Sequence, residues 1–228
     1  MRAATKPVAA TRVVAVGVAV ALPLFFTANA IRILLTERYV RAAYAHVGGE
    51  EILSATQRRD LALLGLRAVD PLRGESVAIL RPVRLPGGAR AFEPDELRHM
   101  RDVRAWLWRL LVLELAVAAA AVALAVADRR RVAAALRRGG VGTLVIGAVA
   151  LVAIAVDFDD VLLGFHRLLF EGDTWHFADS DTLIRVYPER FWNWTGIAIG
   201  LLVVAQALLA IGLGQAIGRG SRNGGRDG

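Results

Sequence analysis

Residues 13–35 read VVAVGVAVALPLFFTANAIRILL, an apolar run that Arg32 alone interrupts with a charge. A helix that crosses the hydrocarbon core of a bilayer, about 30 Å thick, needs roughly 20 apolar residues at 1.5 Å rise each. Three further runs have a similar length and composition, at 105–127, 141–158 and 195–217. The sequence therefore predicts an all-α membrane protein with four transmembrane helices.

The composition of the 228 residues agrees with a membrane location. The chain is 56% hydrophobic with a mean hydropathy of +0.47, above the 45–50% apolar content that is typical of soluble domains. The absence of cysteine excludes disulfides, thiolate metal sites and thiol nucleophiles. The net charge of +7 is not accompanied by the basic and aromatic face of a nucleic-acid-binding module. We therefore expect a membrane, with its anionic headgroups, as the partner and no nucleic acid.

The distribution of arginine predicts the orientation of the chain. The segment 128–140 contains five arginines and one acid, Asp128, which is typical of a cytoplasmic loop. Basic residues also occur in the start, 1–12, and in the tail, 218–228, which we expect to be disordered. Both termini are therefore predicted to be cytoplasmic, in a multi-pass protein of the cell membrane.

The first run also has the features of a signal peptide, with Ala28-Asn29-Ala30 as a cleavage site. Because the apolar character continues to Leu35, we favour an uncleaved first span. Either alternative leaves 36–104 and 159–194 outside the cytoplasm.

The first outer segment, 36–104, is predicted to form a small cap. The apolar spacing in 50–68 indicates a short helix. Residues 77–92, VAILRPVRLPGGARAF, are interpreted as a β-hairpin turning at Pro86-Gly87-Gly88, with Pro82 restricting its strand to an edge. Pro94 and the acids around it open a helix that we expect to continue unbroken through the second span.

Two of the four histidines lie in surroundings suited to catalysis. His99 shares a helix face with Asp95 and Asp102, and a carboxylate fixes the tautomer of a neighbouring imidazole. His166 follows the third span among apolar residues and is expected to be half-buried. The alternatives are a solvated helix with alternating charges for His99 and a hydrogen-bonded interface residue for His166. The remaining two, His46 and His176, are expected at the surface.

Other chemistries find less support in the sequence. Aspartates near His166 include Asp157, Asp159, Asp160 and Asp173, but no HExxH pattern accompanies them, so we expect no metal. No G-x-S-x-G motif for a serine hydrolase occurs either. No cofactor is expected.

Two segments resemble the signatures of a small bacterial membrane family. Residues 92–104, FEPDELRHMRDVR, are similar to F-x-x-x-E-x-x-H-M-x-D-V-K/R. Residues 165–175, FHRLLFEGDTW, followed by DTLI at 181–184 and YPERFW at 187–192, are similar to its second signature, with F-H, D-x-W and P-E-x-F-F/W. This is the lipoprotein intramolecular transacylase family, and the resemblance covers most of the chain.

The resemblance implies a four-span acyltransferase with an outer cap. Its members move the sn-2 acyl chain of a diacylglyceryl lipoprotein onto the α-amino group of the same N-terminal cysteine, which gives the lyso-form. The two essential histidines of the family match His99 and His166. The other matching or adjacent positions imply supporting acids and substrate-binding aromatic residues, namely Asp95, Asp102, Asp173 and Glu189, and Phe165, Trp175 and Trp192.

The chemistry of this transfer suits two histidines. The nucleophile is the substrate's own amine, with a pKa near 8, so a base with a pKa near 7 is well matched to it. We assign His166 as the general base and His99 as its partner or oxyanion donor, and the reverse assignment stays open. The alternative function is a non-enzymatic membrane protein whose outer cap binds lipid or a partner. The sequence leaves the oligomeric state open.

Overall fold

The computed structural model describes residues 6–47, 52–170, 172 and 175–223. The described chain is built from helices of very different length. Four of them are long, namely α1 (Lys6–Leu34), α4 (Pro94–Ala127), α5 (Arg129–Val156) and α8 (Glu189–Asn223). Shorter helices are α2 (Glu37–Tyr44), α3 (Ala55–Val69), α6 (Phe158–Leu169) and α7 (Thr182–Val186), with a 3₁₀ turn at Val77–Leu80. The four long helices are apolar enough to cross a membrane, which confirms the predicted all-helical, four-span class.

One compact unit is made of Met1–Ala30, Leu110–Ala153 and Ile199–Gly228. Its apolar core joins side chains of α1, α4, α5 and α8, including Leu22, Leu124, Val132 and Ala210. The Gln206 side chain donates a hydrogen bond to the Phe26 carbonyl at 3.1 Å, which links α8 to α1.

Two adjacent glycines bring the helices of this unit into close contact. A Cβ atom at Gly139 would lie 2.7 Å from the Ala19 carbonyl of α1, and one at Gly140 would lie 2.8 Å from the Ala207 carbonyl of α8. Small residues at such positions let helix backbones approach in a membrane, where apolar burial contributes little to association. The glycine pair therefore allows α5 to pack against two helices at once.

The second compact unit is made of Ile31–Arg109 and Ile154–Ala198. One of its cores packs α2 and α3 against Val186 and Phe191. The Tyr187 hydroxyl donates a hydrogen bond to the Ala62 carbonyl at 3.2 Å, and it lies so close to Gly65 that a Cβ there would clash with it. These contacts attach the segment 182–191 to α3.

The β-hairpin predicted for 77–92 is wrong, since the described residues contain no strand. Its first arm is the 3₁₀ turn, because the Ser76 side chain accepts a hydrogen bond from the Ala78 amide and Pro82 has no amide hydrogen to offer a partner strand. The rest is a tight turn with Gly87 and Gly88 at positive φ and a single bridge between Arg84 and Arg90. The cap in this region is therefore built from helices and turns.

Several helix boundaries differ from the expected segments, and most of the predicted loop 128–140 is helical because α5 begins at Arg129. Asp157 accepts a hydrogen bond from the Asp160 amide and begins α6 as a separate helix after α5. Helix α8 continues to Asn223, whereas the sequence placed its end near residue 217; residues 224–228 lie outside the described chain.

Candidate active site

The N-terminal turns of α4 are the scaffold of the site. The helix has 34 residues and is therefore about 50 Å long, longer than the hydrocarbon core of a bilayer. Its charged residues are concentrated in 94–104, before the apolar part begins near Ala105. His99 belongs to these charged turns and lies outside the membrane-spanning segment.

Glu96 fixes the start of α4 to a distant part of the chain. One of its carboxylate oxygens accepts the Glu93 amide at 2.7 Å, as the acid of a capping box does. The other oxygen accepts the Leu183 amide at 2.7 Å, at the start of α7. The side chain is 2% exposed, and burial raises its pKa against the opposing effect of the two amide hydrogen bonds. Glu96 thus attaches α7 to α4 one turn before His99.

Trp106 makes the second attachment on the same face of α4. It lies seven residues, or two turns, after His99. Its indole N–H donates a hydrogen bond to the Leu169 carbonyl at 2.7 Å, in the last turn of α6. The end of α6 and the start of α7 are therefore both attached to α4, and His99 lies between the two attachment points.

His99 is enclosed by aromatic rings. The Phe170 ring centroid lies 4.8 Å from that of His99, and the Phe177 ring meets it edge-on at 5.3 Å. Its Nδ1 atom is buried and has no hydrogen-bond partner in the described chain. Burial, with a smaller contribution from the nearby charge of His166, lowers the pKa of His99 from 6.5 to about 4. This imidazole is therefore neutral at physiological pH.

His166 joins the same aromatic cluster from the last turn of α6. Its ring stacks on Trp175 at 5.0 Å and lies 5.8 Å from Phe170, while Phe165 meets it edge-on at 5.5 Å. Phe170 thus contacts both histidines, although these are 67 positions apart in the chain. The structure brings together four of the predicted site residues, His99, His166, Phe165 and Trp175.

The acids expected beside His99 do not hydrogen-bond to it. Asp95 forms an ion pair with Arg98 at 3.4 Å instead. Asp102 is partly buried, and no hydrogen bond joins it to His99 within the described residues. The expected carboxylate–imidazole hydrogen bond is therefore not formed.

The remaining predicted residues lie elsewhere. Glu189 is exposed and accepts a hydrogen bond from the Asn193 side chain at 3.3 Å. Trp192 packs on Phe191 and Tyr187, with ring centroids 5.3 and 6.1 Å away. Asp173 lies outside the described residues. Within those residues, no group of three or more acids and histidines is placed to hold a metal ion.

The sequence alone did not identify three residues that position or contact the two histidines: Glu96, Phe170 and Phe177. Glu96 has a local signature, because an acid at the third helical position after a first-turn proline is typical of a capping box. Its second hydrogen bond joins residues 87 positions apart, which no local pattern indicates. The contacts of Phe170 and Phe177 with His99 likewise join residues more than 70 positions apart, which no local pattern indicates.

A family model and a relative each match most of this chain. The family model described as lipoprotein intramolecular transacylase Lit matches residues 16–192. A protein of Aquifex aeolicus (strain VF5), described as uncharacterized, is 27% identical over an alignment of 168 residues that covers 71% of this chain and 74% of that protein.

Solved structures share the fold. The membrane integral lipoprotein intramolecular transacylase Lit from Bacillus cereus superposes with a TM-score of 0.71 at 17% identity, covering 93% of this chain and 97% of that one. A form of it with one histidine replaced by alanine gives a TM-score of 0.67 at 18% identity, with 93% and 95% covered.

Proposed function

This chain belongs to the lipoprotein intramolecular transacylase family, and from that premise we propose how its residues move an acyl chain. The substrate is a diacylglyceryl lipoprotein, and the reaction transfers its sn-2 acyl chain to the α-amino group of its own N-terminal cysteine. The amine nitrogen attacks the ester carbonyl and loses a proton, the bond to the sn-2 oxygen breaks, and that oxygen takes up a proton. The products are an amide and a free sn-2 hydroxyl, without water as a reactant.

The observation that supports a two-histidine mechanism is that His99 and His166 meet around Phe170. An amine with a pKa near 8 needs a base of comparable strength, ideally with a pKa near 7. His99, with a pKa of about 4, is poorly matched to this role, so we assign His166 as the base. His99 then serves as a neutral N–H donor to the oxygen that becomes negative in the tetrahedral intermediate.

The aromatic rings around the histidines give the site its apolar walls. Phe165 is 52% exposed, and Trp175, which stacks on His166, is partly exposed, so both rings can border an acyl chain beside the base. Apolar walls also keep water away from the ester, which favours transfer over hydrolysis. We propose that Trp192 extends this acyl-binding surface and that Asp102 receives the substrate ammonium group. Asp95, Asp173 and Glu189 are proposed as further acids at the approach to the site.

The proposed site faces away from the cytoplasm. The support for this orientation is the arginine-rich segment 128–138, since positive charge marks cytoplasmic loops. Both termini are then cytoplasmic, and the histidine pair acts on lipoproteins at the outer leaflet of the cell membrane.

Alanine substitution of each histidine tests the mechanism. The chain is expressed in a bacterium that makes no lyso-form lipoprotein, and the N-terminal lipopeptides are measured by mass spectrometry. H99A and H166A are each expected to reduce lyso-form production by at least about 100-fold, the usual size of an acid–base contribution.

The matched control is H46A, because that side chain is exposed and lies outside the aromatic cluster of the site. This variant is expected to keep full activity. Unchanged lyso-form production by both H99A and H166A would reject the mechanism and favour a lipid- or partner-binding role for the cap.

A further inference from the structure

A second cleft opens beside α4, away from the histidines. Its volume is about 450 Å³. Residues 101, 104, 105 and 108 line it from α4, and their spacing places them on one helix face, opposite to that of His99. The other wall is the segment around the 3₁₀ turn, with Ser76, Val77, Ala78 and Arg81. The cleft is therefore separate from the proposed active site.

The cleft is rich in positive charge that the protein does not neutralise. Arg81, Arg101 and Arg104 line it, and no acid does. Arg81 and Arg101 are exposed, and neither guanidinium makes a hydrogen bond or ion pair within the described residues. These two arginines are available to a ligand.

Acidic residues near the cleft form ion pairs with arginines that do not line it. Glu75 pairs with Arg67, and this contact lowers the pKa of the Glu75 carboxyl. Asp70 pairs with Arg73 at 3.2 Å. The charge of the cleft therefore remains positive.

Arg104 holds the cleft together. Its guanidinium donates hydrogen bonds to the carbonyls of Ala68 at 2.9 Å and Asp70 at 2.8 Å. These contacts attach α4 to the end of α3 and fix the distance between the two walls. The cleft is thus formed before any ligand arrives, which reduces the entropy lost on binding.

One end of the cleft is apolar. Trp108 is 53% exposed, and Ala105 beside it begins the apolar part of α4. Tryptophan prefers the boundary between headgroups and hydrocarbon. The cleft therefore spans that boundary, with arginines toward the polar side and Trp108 toward the hydrocarbon.

We propose that this cleft binds the phosphate group of an anionic phospholipid. Arg81 and Arg101 bind the phosphate oxygens, since the planar guanidinium suits bidentate contact with phosphate. An acyl chain of the same lipid packs along Trp108 and Ala105. The apolar end favours a lipid over a free phosphate ion, and the bound lipid would join the 76–81 segment to α4.

Native mass spectrometry of the purified full-length protein in detergent tests this site. Phosphatidylglycerol is titrated against phosphatidylcholine, which carries a phosphate but no net charge. The wild-type chain is expected to bind the first phosphatidylglycerol more tightly than phosphatidylcholine. R81Q/R101Q is expected to weaken that binding by roughly tenfold or more, because both phosphate contacts are lost.

The matched control is R84Q/R90Q, which removes the same charge from two exposed arginines outside the cleft. It is expected to keep the preference for phosphatidylglycerol. Equal weakening in both double variants, or in neither, would overturn the site. Melting temperatures without lipid show whether each variant is folded, and the exposed positions predict no loss.

A further titration with inorganic phosphate distinguishes the source of the phosphate group. The lipid assignment predicts little thermal stabilisation by millimolar phosphate. Arginine-dependent stabilisation by phosphate, without selective binding of phosphatidylglycerol, would overturn the assignment to a lipid.

Discussion

His99 is a histidine held neutral by its surroundings. The rings of Phe170 and Phe177 exclude water from it, and the described chain offers its Nδ1 no partner. A neutral imidazole donates a hydrogen bond from its N–H without bringing a charge into the site. Keeping this imidazole neutral lowers the stability of the folded protein at acidic pH.

The stability of the protein should fall as pH drops from about 6.5 toward 4. Between the ordinary pKa of 6.5 and the value of about 4 in the folded protein, the unfolded chain binds a proton that the folded chain does not, so acid favours unfolding. H99Q should reduce this loss of melting temperature, whereas H46Q, at an exposed position, should leave it unchanged. An identical pH profile for H99Q and the wild type would contradict the burial of a neutral His99.

Glu96 acts on the site through the backbone. In E96Q, the side-chain N–H₂ group would face one of the two backbone N–H groups that now donate hydrogen bonds to the carboxylate, and two donors cannot bond to each other. The loss of one such bond is expected to cost about 1–3 kcal/mol of stability and to displace α7 from the start of α4, with a fall in lyso-form production. The control is E93Q, whose side chain is exposed and which should behave as wild type. Full activity of E96Q would show that this attachment does not position the histidines.

At the scale of the helices, packing in the first unit depends on Gly139 and Gly140. An added Cβ in G140A would press on the Ala207 carbonyl, and overpacking of about 1–3 kcal/mol should lower the melting temperature in detergent by about 2–10 °C. G142A is the matched control, because nothing lies within 4 Å of its Cβ position. It should be neutral or slightly stabilising, since alanine favours helix over glycine. Equal melting temperatures for the two variants would contradict the close packing of α5.

The sequence predicts the long helices well and the cap less well. Runs of apolar residues about 20 long have one stable backbone form in a bilayer, because every amide must be satisfied within the segment. Residues 77–92 lack such a constraint. There the Ser76 cap and Pro82 favour a 3₁₀ turn, although the turn residues Pro86-Gly87-Gly88 indicated a hairpin.

Some residues of the candidate site are recognisable from the sequence, and others are found only in the structure. His99 and His166 are recognisable from their sequence surroundings, and Trp175 and Phe165 from the signature beside them. The link from Glu96 to Leu183 and the rings of Phe170 and Phe177 arise only from the tertiary fold. The acids expected to orient His99 were chosen from helical spacing, which gives the face of a helix but not the rotamer or the competing partner, such as Arg98 for Asp95.

For the whole molecule, the proposed orientation makes a prediction that the cysteine-free sequence allows to be tested simply. Single cysteines introduced at Gly88 and Ala134 are treated with a membrane-impermeant maleimide on intact cells. The cysteine at 88 should be labelled, because its segment is proposed to be extracytoplasmic, and the one at 134 should react only after lysis. Protection of 88 together with labelling of 134 would reverse the proposed orientation.

The most direct test of the central claim follows one acyl chain. Purified protein is given two diacylglyceryl lipopeptides that differ in peptide mass, only one of which carries a deuterated sn-2 chain. Intramolecular transfer predicts that deuterium appears on the amine of that same peptide and not of the other. Deuterium on the second peptide, or its release as free fatty acid without N-acylation, would contradict the account.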